Sequence, residues 1–279
     1  EYTGGTPKIL VDGADVTTAA NAIAGGAIIS SGQMADNRES GAAYIHVFDV
    51  RMDRMKTFVE GYFGTMTNPT KFNGLLYTYR TDTTAALPSG FRFQNAGILP
   101  QPGASHANAA GGLTVVSPDP VYMQGNYNSG TSGGTYTEDL NLKVPAAVIS
   151  DAVNLLSNGW DNGKTPGGAL PPSAETINTI YNMAIITGNV PTAGAAYSGG
   201  LENLPRFHEN WSGKTAKFRG SFVSLFESQY ADGAWVYGGN RYTAPTRDWN
   251  YDTDFNDVDN LPPYTPSAIG MNRQVFTTD

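Results

Sequence analysis

The residues best suited to holding a cation lie near the C-terminus, where five Asp and three Asn fall within residues 248–260. Calcium takes roughly six to eight hard oxygen ligands, so Asp252, Asp254, Asn256, Asp257 and Asp259 form the candidate calcium site. Asp252, Asp254 and Asn256 open like an EF-hand loop, but the sixth position is Asp257 rather than Gly and the twelfth is Pro263 rather than Glu. The competing reading is an Asx-rich turn whose side chains cap their own backbone before Pro262 and Pro263.

Catalytic chemistry has fewer candidates. The histidines are His46, His106 and His208. His46 reads as structural within a strand and His106 as solvent-exposed in a Gly/Ala/Asn loop. His208 with Glu202 and Glu209 could serve as an acid/base group, although neighbours in an extended chain point to opposite sides. A polysaccharide lyase or hydrolase would need acidic groups and a cation along one face, and Asp151, Glu202, Arg206 and Glu227 could supply them. No nucleophile elbow, Walker loop, dinucleotide fingerprint or His-Glu-x-x-His motif occurs. Trp160, Trp211, Trp235 and Trp249 sit among Gly, Asn and Asp, where rings stack on sugars or anchor partners, or else plug the ends of a fold.

Composition narrows the classes further. Of 279 residues, 17 are Lys or Arg and 25 are Asp or Glu, a net charge of −8. With its basic residues scattered singly, the chain lacks the face that phosphate-backbone binding requires, so nucleic acid is excluded as a partner. Charged residues make up 15% and aromatic residues 11%, while Gly 33 and Pro 17 indicate many turns. The absence of cysteine rules out disulfides and thiolate metal sites. No apolar run is long enough for a membrane-spanning helix, so this chain is expected not to insert in a membrane. The chain starts at Glu1 and has no signal-like segment, as expected of a processed or excised chain.

These side chains must be positioned mostly by strands. Met52, Met55, Val59 and Tyr62 recur at helical spacing and predict one amphipathic helix, ended by Gly61 and Gly64. Strand composition appears at Tyr44 to Val50, Leu75 to Arg80, Leu113 to Val116, Val121 to Gln124, Ala184 to Thr187 and Ala216 to Phe226. An apolar run followed by Gly-Asn or Gly-Ser occurs at Gly125, Gly188 and Gly220, with spacings of 63 and 32. These approximate two units and one unit of a thirty-residue repeat. The missing copy falls inside residues 145–158, which read either as a helix from Pro145 or as two strands cornering at Asp151; the flanking repeat favours strands. The expected fold is mainly β, a right-handed parallel β-helix or solenoid with one or two short α-helices near residues 52–63. A β-sandwich with Gly-Asn hairpins is the alternative. Residues 1–110 would form an N-terminal α+β cap on a solenoid domain at 111–279, or the whole chain one continuous domain. Residues 128–138 and 159–174 read as polar surface insertions.

The stretch Gly199-Gly200-Leu201-Glu202-Asn203-Leu204-Pro205-Arg206-Phe207-His208-Glu209-Asn210-Trp211 resembles the C-terminal region of an uncharacterised family of large bacterial envelope proteins. Intact members of that family begin with a pilin-like hydrophobic helix of the PilX-like, type IV pilus-assembly kind. Further matching stretches are Asp36 to Glu39, Asn73 to Tyr77, Gly112 to Val116, Pro120 to Tyr127, Arg219 to Ser228, and Pro245 to Trp249 through Pro262 and Pro263, so the resemblance covers roughly residues 35 to 266. It implies an exported, surface-associated β-rich domain with no catalytic residues to carry over. The expected function is a non-enzymatic structural or adhesive role on the bacterial cell surface, in a pilus-like appendage, through self-association or other surface subunits. A polysaccharide-active β-helix enzyme and a calcium-stabilised carbohydrate-binding module are the alternatives.

Overall fold

A computed structural model describes residues 2–3, 6–36, 38, 43–64, 70–81, 89–131, 138–166, 178–191, 199–200, 204–232 and 241–266. The chain opens with two short antiparallel pairs, β1 (Tyr2–Thr3) with β2 (Thr6–Pro7) and β3 (Leu10–Val11) with β4 (Ala14–Asp15), followed by α1 (Thr17–Ile23). An antiparallel hairpin of β5 (Ile29–Asp36) and β6 (Ala43–Arg51) leads into α2 (Met52–Phe63). The helix forms because Met52, Met55, Phe58, Val59 and Phe63 fall on one face and are buried, with Asp53 in the first turn, where a carboxylate suits the helix dipole. It ends at Gly64, as expected, but continues through Gly61, where any Cβ would press on Ile23 of α1.

Ten strands follow: β7 (Leu75–Tyr77), β8 (Ser89–Gln94), β9 (Leu113–Ser117), β10 (Val121–Gln124), β11 (Ala146–Ser150), β12 (Val153–Leu156), β13 (Asn178–Asn189), β14 (Pro205–Phe207), β15 (Thr215–Glu227) and β16 (Thr246–Tyr251). From β7 to β15 the chain alternates between two six-stranded sheets. The first runs β14-β12-β10-β8-β6-β5 and the second β16-β15-β13-β11-β9-β7, and every pairing other than β5 with β6 is parallel. The protein is thus mainly β, with parallel sheets and, among the described residues, two α-helices. No helix among the described residues is long and apolar enough to cross a membrane.

Like side chains stack strand upon strand. In the first sheet Val50, Phe93, Met123, Leu155 and Phe207 stand in one ladder; in the second, Leu76, Val115, Val148, Ile185 and Phe222 do. The two ladders meet in one contiguous core that extends from Ile9 through α2 to Tyr242. Burying rows of Val, Leu, Ile and Phe is the main driving force, at roughly 1.5–3 kcal/mol for each fully buried side chain.

Residues 145–158 are two strands cornering at Asp151, because Val148, Val153 and Leu155 alternate into this core. The Gly-Asn/Ser units are not equivalent corners. Gly125 is one, with φ +79, yet it turns no hairpin, since β10 lies parallel to both β8 and β12. Gly188 and Gly220 instead lie within β13 and β15, where a Cβ would overlap Ser228 and the Met183 carbonyl respectively. The spacing holds one step after Gly125: Asn158 Nδ2 donates to Asn126 Oδ1 at 3.0 Å and the Asn126 N–H donates to Asn158 Oδ1 at 2.8 Å, across 32 residues.

Candidate functional site

Outside the first sheet lies a buried polar network. In register across the strands stand Asp49, Arg92, Tyr122, Asn154 and Arg206, which alternate with the core ladder and therefore point away from it. The end of β5, with Met34, Ala35 and Asp36 buried, and the segment 157–166 cover them. That segment buries Trp160 and Lys164, so part of the expected surface insertion is interior.

The Tyr122 hydroxyl donates to Asp36 Oδ2 at 2.7 Å, the Arg38 N–H donates to Asp36 Oδ1 at 2.7 Å, and His208 Nδ1 lies 3.3 Å from that oxygen. His208 Nε2 faces Asn154 Oδ1 at 2.8 Å, while Asn154 Nδ2 donates to the Val121 carbonyl at 3.0 Å. Arg92 forks onto Asp49 at 2.5 and 2.9 Å and also reaches Asn162. Glu209 accepts from the Ser157 N–H at 2.7 Å and the Ser157 hydroxyl at 2.6 Å. Burial would raise the Asp36 carboxyl, but His208, the Tyr122 hydroxyl and the Arg38 N–H outweigh it and hold Asp36 well below the usual carboxylate range. Burial also pushes His208 and Lys164 below their ordinary values, and burial with nearby Arg206 lowers Arg38 to about 10. The Asp36–His208 pair has the composition of a general base. However, both residues are almost wholly buried, and their polar atoms face Tyr122, Arg38 and Asn154. These contacts join the end of β5 to Tyr122 and, on the far side of the sheet, to His208.

Two members of the expected catalytic set, the acid Asp151 and the cation Arg206, converge on one short segment rather than on an open face. Asp151 accepts three backbone N–H groups, from Gln229 at 2.5 Å, Tyr230 at 3.1 Å and Ala231 at 2.8 Å, and Arg206 Nη2 donates to the Ala231 carbonyl at 2.9 Å. Together they clamp residues 229–231. Glu227 is exposed at the end of β15, and Glu202 lies outside the described residues.

In the Asp-rich segment, Asp252 and Asp257 each cap a single helical turn, Thr253–Asn256 and Val258–Asn260, by accepting from the N–H two residues ahead. Lys143 Nζ sits 2.7 Å from Asp252 and 2.9 Å from Asp254, so an ammonium holds these carboxylates together. Asn256 and Asp259 belong to the same two turns. Among the described residues, no three His, Asp or Glu side chains are grouped to share a metal ion.

The tryptophans divide. Trp211 is fully buried edge-on to Phe207 at 5.4 Å, and Trp160 is buried with its Nε1 donating to Asn162 at 3.1 Å; these large rings fill the interior and offer no binding surface. Trp235 lies outside the described residues. Trp249 is half-buried, 5.3 Å from Phe222, with Arg247 over its ring at 5.1 Å and its buried Nε1 without a hydrogen-bond partner among the described residues. His106, expected in solvent, is buried edge-on to Phe72 at 5.3 Å, and His46 is half-buried beside Phe48.

Sequence reasoning missed a flank of β15 that no other strand occupies among the described residues. β16 pairs with Thr215 to Gly220 only, and beyond it Val223, Leu225 and Phe226 are exposed at 38%, 68% and 41%. The signal was in plain view: residues 221–227 read Ser-Phe-Val-Ser-Leu-Phe-Glu, without Lys, Arg or Pro to protect an edge. No family model matches this chain, and no curated protein or solved structure is significantly similar to it.

Proposed function

We propose that this chain is a non-enzymatic structural or adhesive domain of a bacterial cell surface or pilus-like appendage, wound as a right-handed parallel β-solenoid and able to associate with its own copies or with neighbouring subunits. The winding is supported by strands that alternate between two parallel sheets in stacked register, and right-handed crossovers are the rule for parallel strands of one sheet. The cell-surface setting rests on the envelope-family resemblance of residues 35 to 266.

The observation that carries the association is a stripe on the outside of the second sheet. Tyr77, Val116, Ile149, Ile186 and Val223 stand in one ladder, each half-buried or exposed, and the stripe ends at the undefended flank of β15. Exposed apolar rows of this kind mark interaction surfaces. Against an enzyme stands the use of Asp151 and Arg206 as backbone clamps. Sedimentation velocity across a wide concentration range tests the reading. A sedimentation coefficient that rises with concentration supports it, and a single monomeric species throughout counts against it.

A further inference from the structure

Resting on that reading, we infer that copies of this chain join head to tail, with β7 of one copy adding to the second sheet of the next along residues 221–223 of β15, beside the exposed Leu225 where the β13–β15 register shifts.

Three observations lead to this pairing. The first is the free flank itself. β15 runs seven residues past the end of β16, and among the described residues β13 is the only strand beside that extension. A parallel strand with one flank unpaired presents backbone N–H and C=O groups ready for another strand, and here they stand among Phe222, Val223, Leu225 and Phe226. Next to the flank is an apolar recess of about 350 Å³ lined by Phe218, Phe222, Trp249 and Tyr251.

The second is the opposite end of the same sheet. β7 pairs only with β9 among the described residues, Tyr77 is 51% exposed, and an apolar cavity of about 320 Å³ opens beside it between Leu75, Leu76, Phe58 and Phe63. One sheet therefore ends in an incompletely covered apolar edge on both sides.

The third is register, which selects a second copy over an unrelated peptide. All strands of the second sheet run the same way. Its inward ladder runs from Leu76 to Phe222 and its outward ladder from Tyr77 to Val223. A copy displaced along the strand order places its Leu76 next to Phe222 and its Tyr77 next to Val223, continuing both ladders without a change of face. The ends also fit along the strand: Tyr251, the last residue of β16, pairs with Gly220, so the vacant positions start at Ser221, opposite the incoming Leu75. Gly74, at φ +85, turns the chain immediately before Leu75, so the incoming strand can begin where β16 stops. Because the two edges differ, the contact is heterologous and repeats into an open chain of subunits.

The cysteine-free sequence makes disulfide trapping a clean test. Facing residues on adjacent parallel strands lie about 4.8 Å apart, within the ~4.4–6.8 Å Cα separation of disulfides. A mixture of Val223→Cys and Tyr77→Cys proteins should give a disulfide-linked dimer on non-reducing gels, with neither variant dimerising alone. Leu225→Lys, at a site 68% exposed, should weaken association at least tenfold while leaving the melting temperature unchanged. If the wild-type protein associates but the mixture gives no more cross-linking than either variant alone, the pairing is overturned while the structural reading stands. Self-dimerisation of either single variant would mean like-to-like edge pairing and would also overturn it. A wild-type protein that stays monomeric at every concentration defeats both.

Discussion

Replacing Asp151 by Ala separates a structural from a catalytic role for the most plausible acid in the sequence. Its carboxylate accepts the N–H groups of residues 229–231, and its own carbonyl accepts from the Ser228 hydroxyl at 2.9 Å. Hydrogen bonds to a charged group contribute about 1.5–3 kcal/mol each. Gln229 and Tyr230 are exposed and their N–H groups can turn to water, whereas Ala231 is buried and its N–H would be left unpaired. The expected loss is therefore about 3 kcal/mol, near one full charged bond plus part of two others. For a domain of this size it corresponds to a fall in melting temperature of roughly 5 °C. Urea unfolding followed by tryptophan fluorescence would measure it, alongside a screen of pectin, alginate and glycosaminoglycans for new reducing ends or unsaturated products. A variant within about 0.5 kcal/mol of wild type would refute the clamp, that being the scatter of ordinary surface substitutions. A wild-type polysaccharide activity abolished by Asp151→Asn with stability intact would refute the non-enzymatic reading.

Other outcomes follow from the same geometry. Asp36 titrates below its ordinary value of 3.8 in the fold, so the stability it contributes is present above that value and lost as pH falls through its folded pKa. His208, pushed below 6.5 by burial, adds to the loss as pH falls below 6.5. Asp36→Asn should accordingly lower stability at neutral pH and flatten the acid limb of a stability–pH profile; an unchanged acid limb would contradict the latch. Leu155→Ala, in the middle of the first-sheet ladder, should cost about 2–5 kcal/mol by urea denaturation, and a cost under 1 kcal/mol would argue against a close-packed core. Lys143→Met leaves Asp252 buried without its ammonium and should cost about 1–3 kcal/mol, while EDTA should not change the wild-type melting temperature. A fall on EDTA addition would restore calcium to residues 252–259.

Much of the element pattern was legible because it rests on local rules. The Met52, Met55, Val59 spacing located α2, and short apolar runs closed by turn residues, such as Leu113 to Val116 and Val121 to Gln124, located strands of both sheets. The corner at Asp151 followed from the thirty-residue spacing, which the Asn126–Asn158 pair bears out at one step. The equivalence of Gly125, Gly188 and Gly220 failed because glycine answers two demands that look alike in sequence, a positive φ at Gly125 and close backbone approach at Gly220. The polar network was illegible because its members come from Asp36, Tyr122, Asn154, Lys164 and His208, and only the stacking of strands brings them together. His106 was misjudged, and the two readings of Trp211 stayed open, for a related reason: polar neighbours in sequence do not report what packs on a ring in space.

The most direct test of a self-associating structural domain is sedimentation velocity on wild type and Leu225→Lys side by side across concentration. The wild-type sedimentation coefficient should climb with concentration while Leu225→Lys stays at the monomer value. Two concentration-independent monomers would contradict self-association, and equal association of both proteins would overturn the β15 flank as the joint.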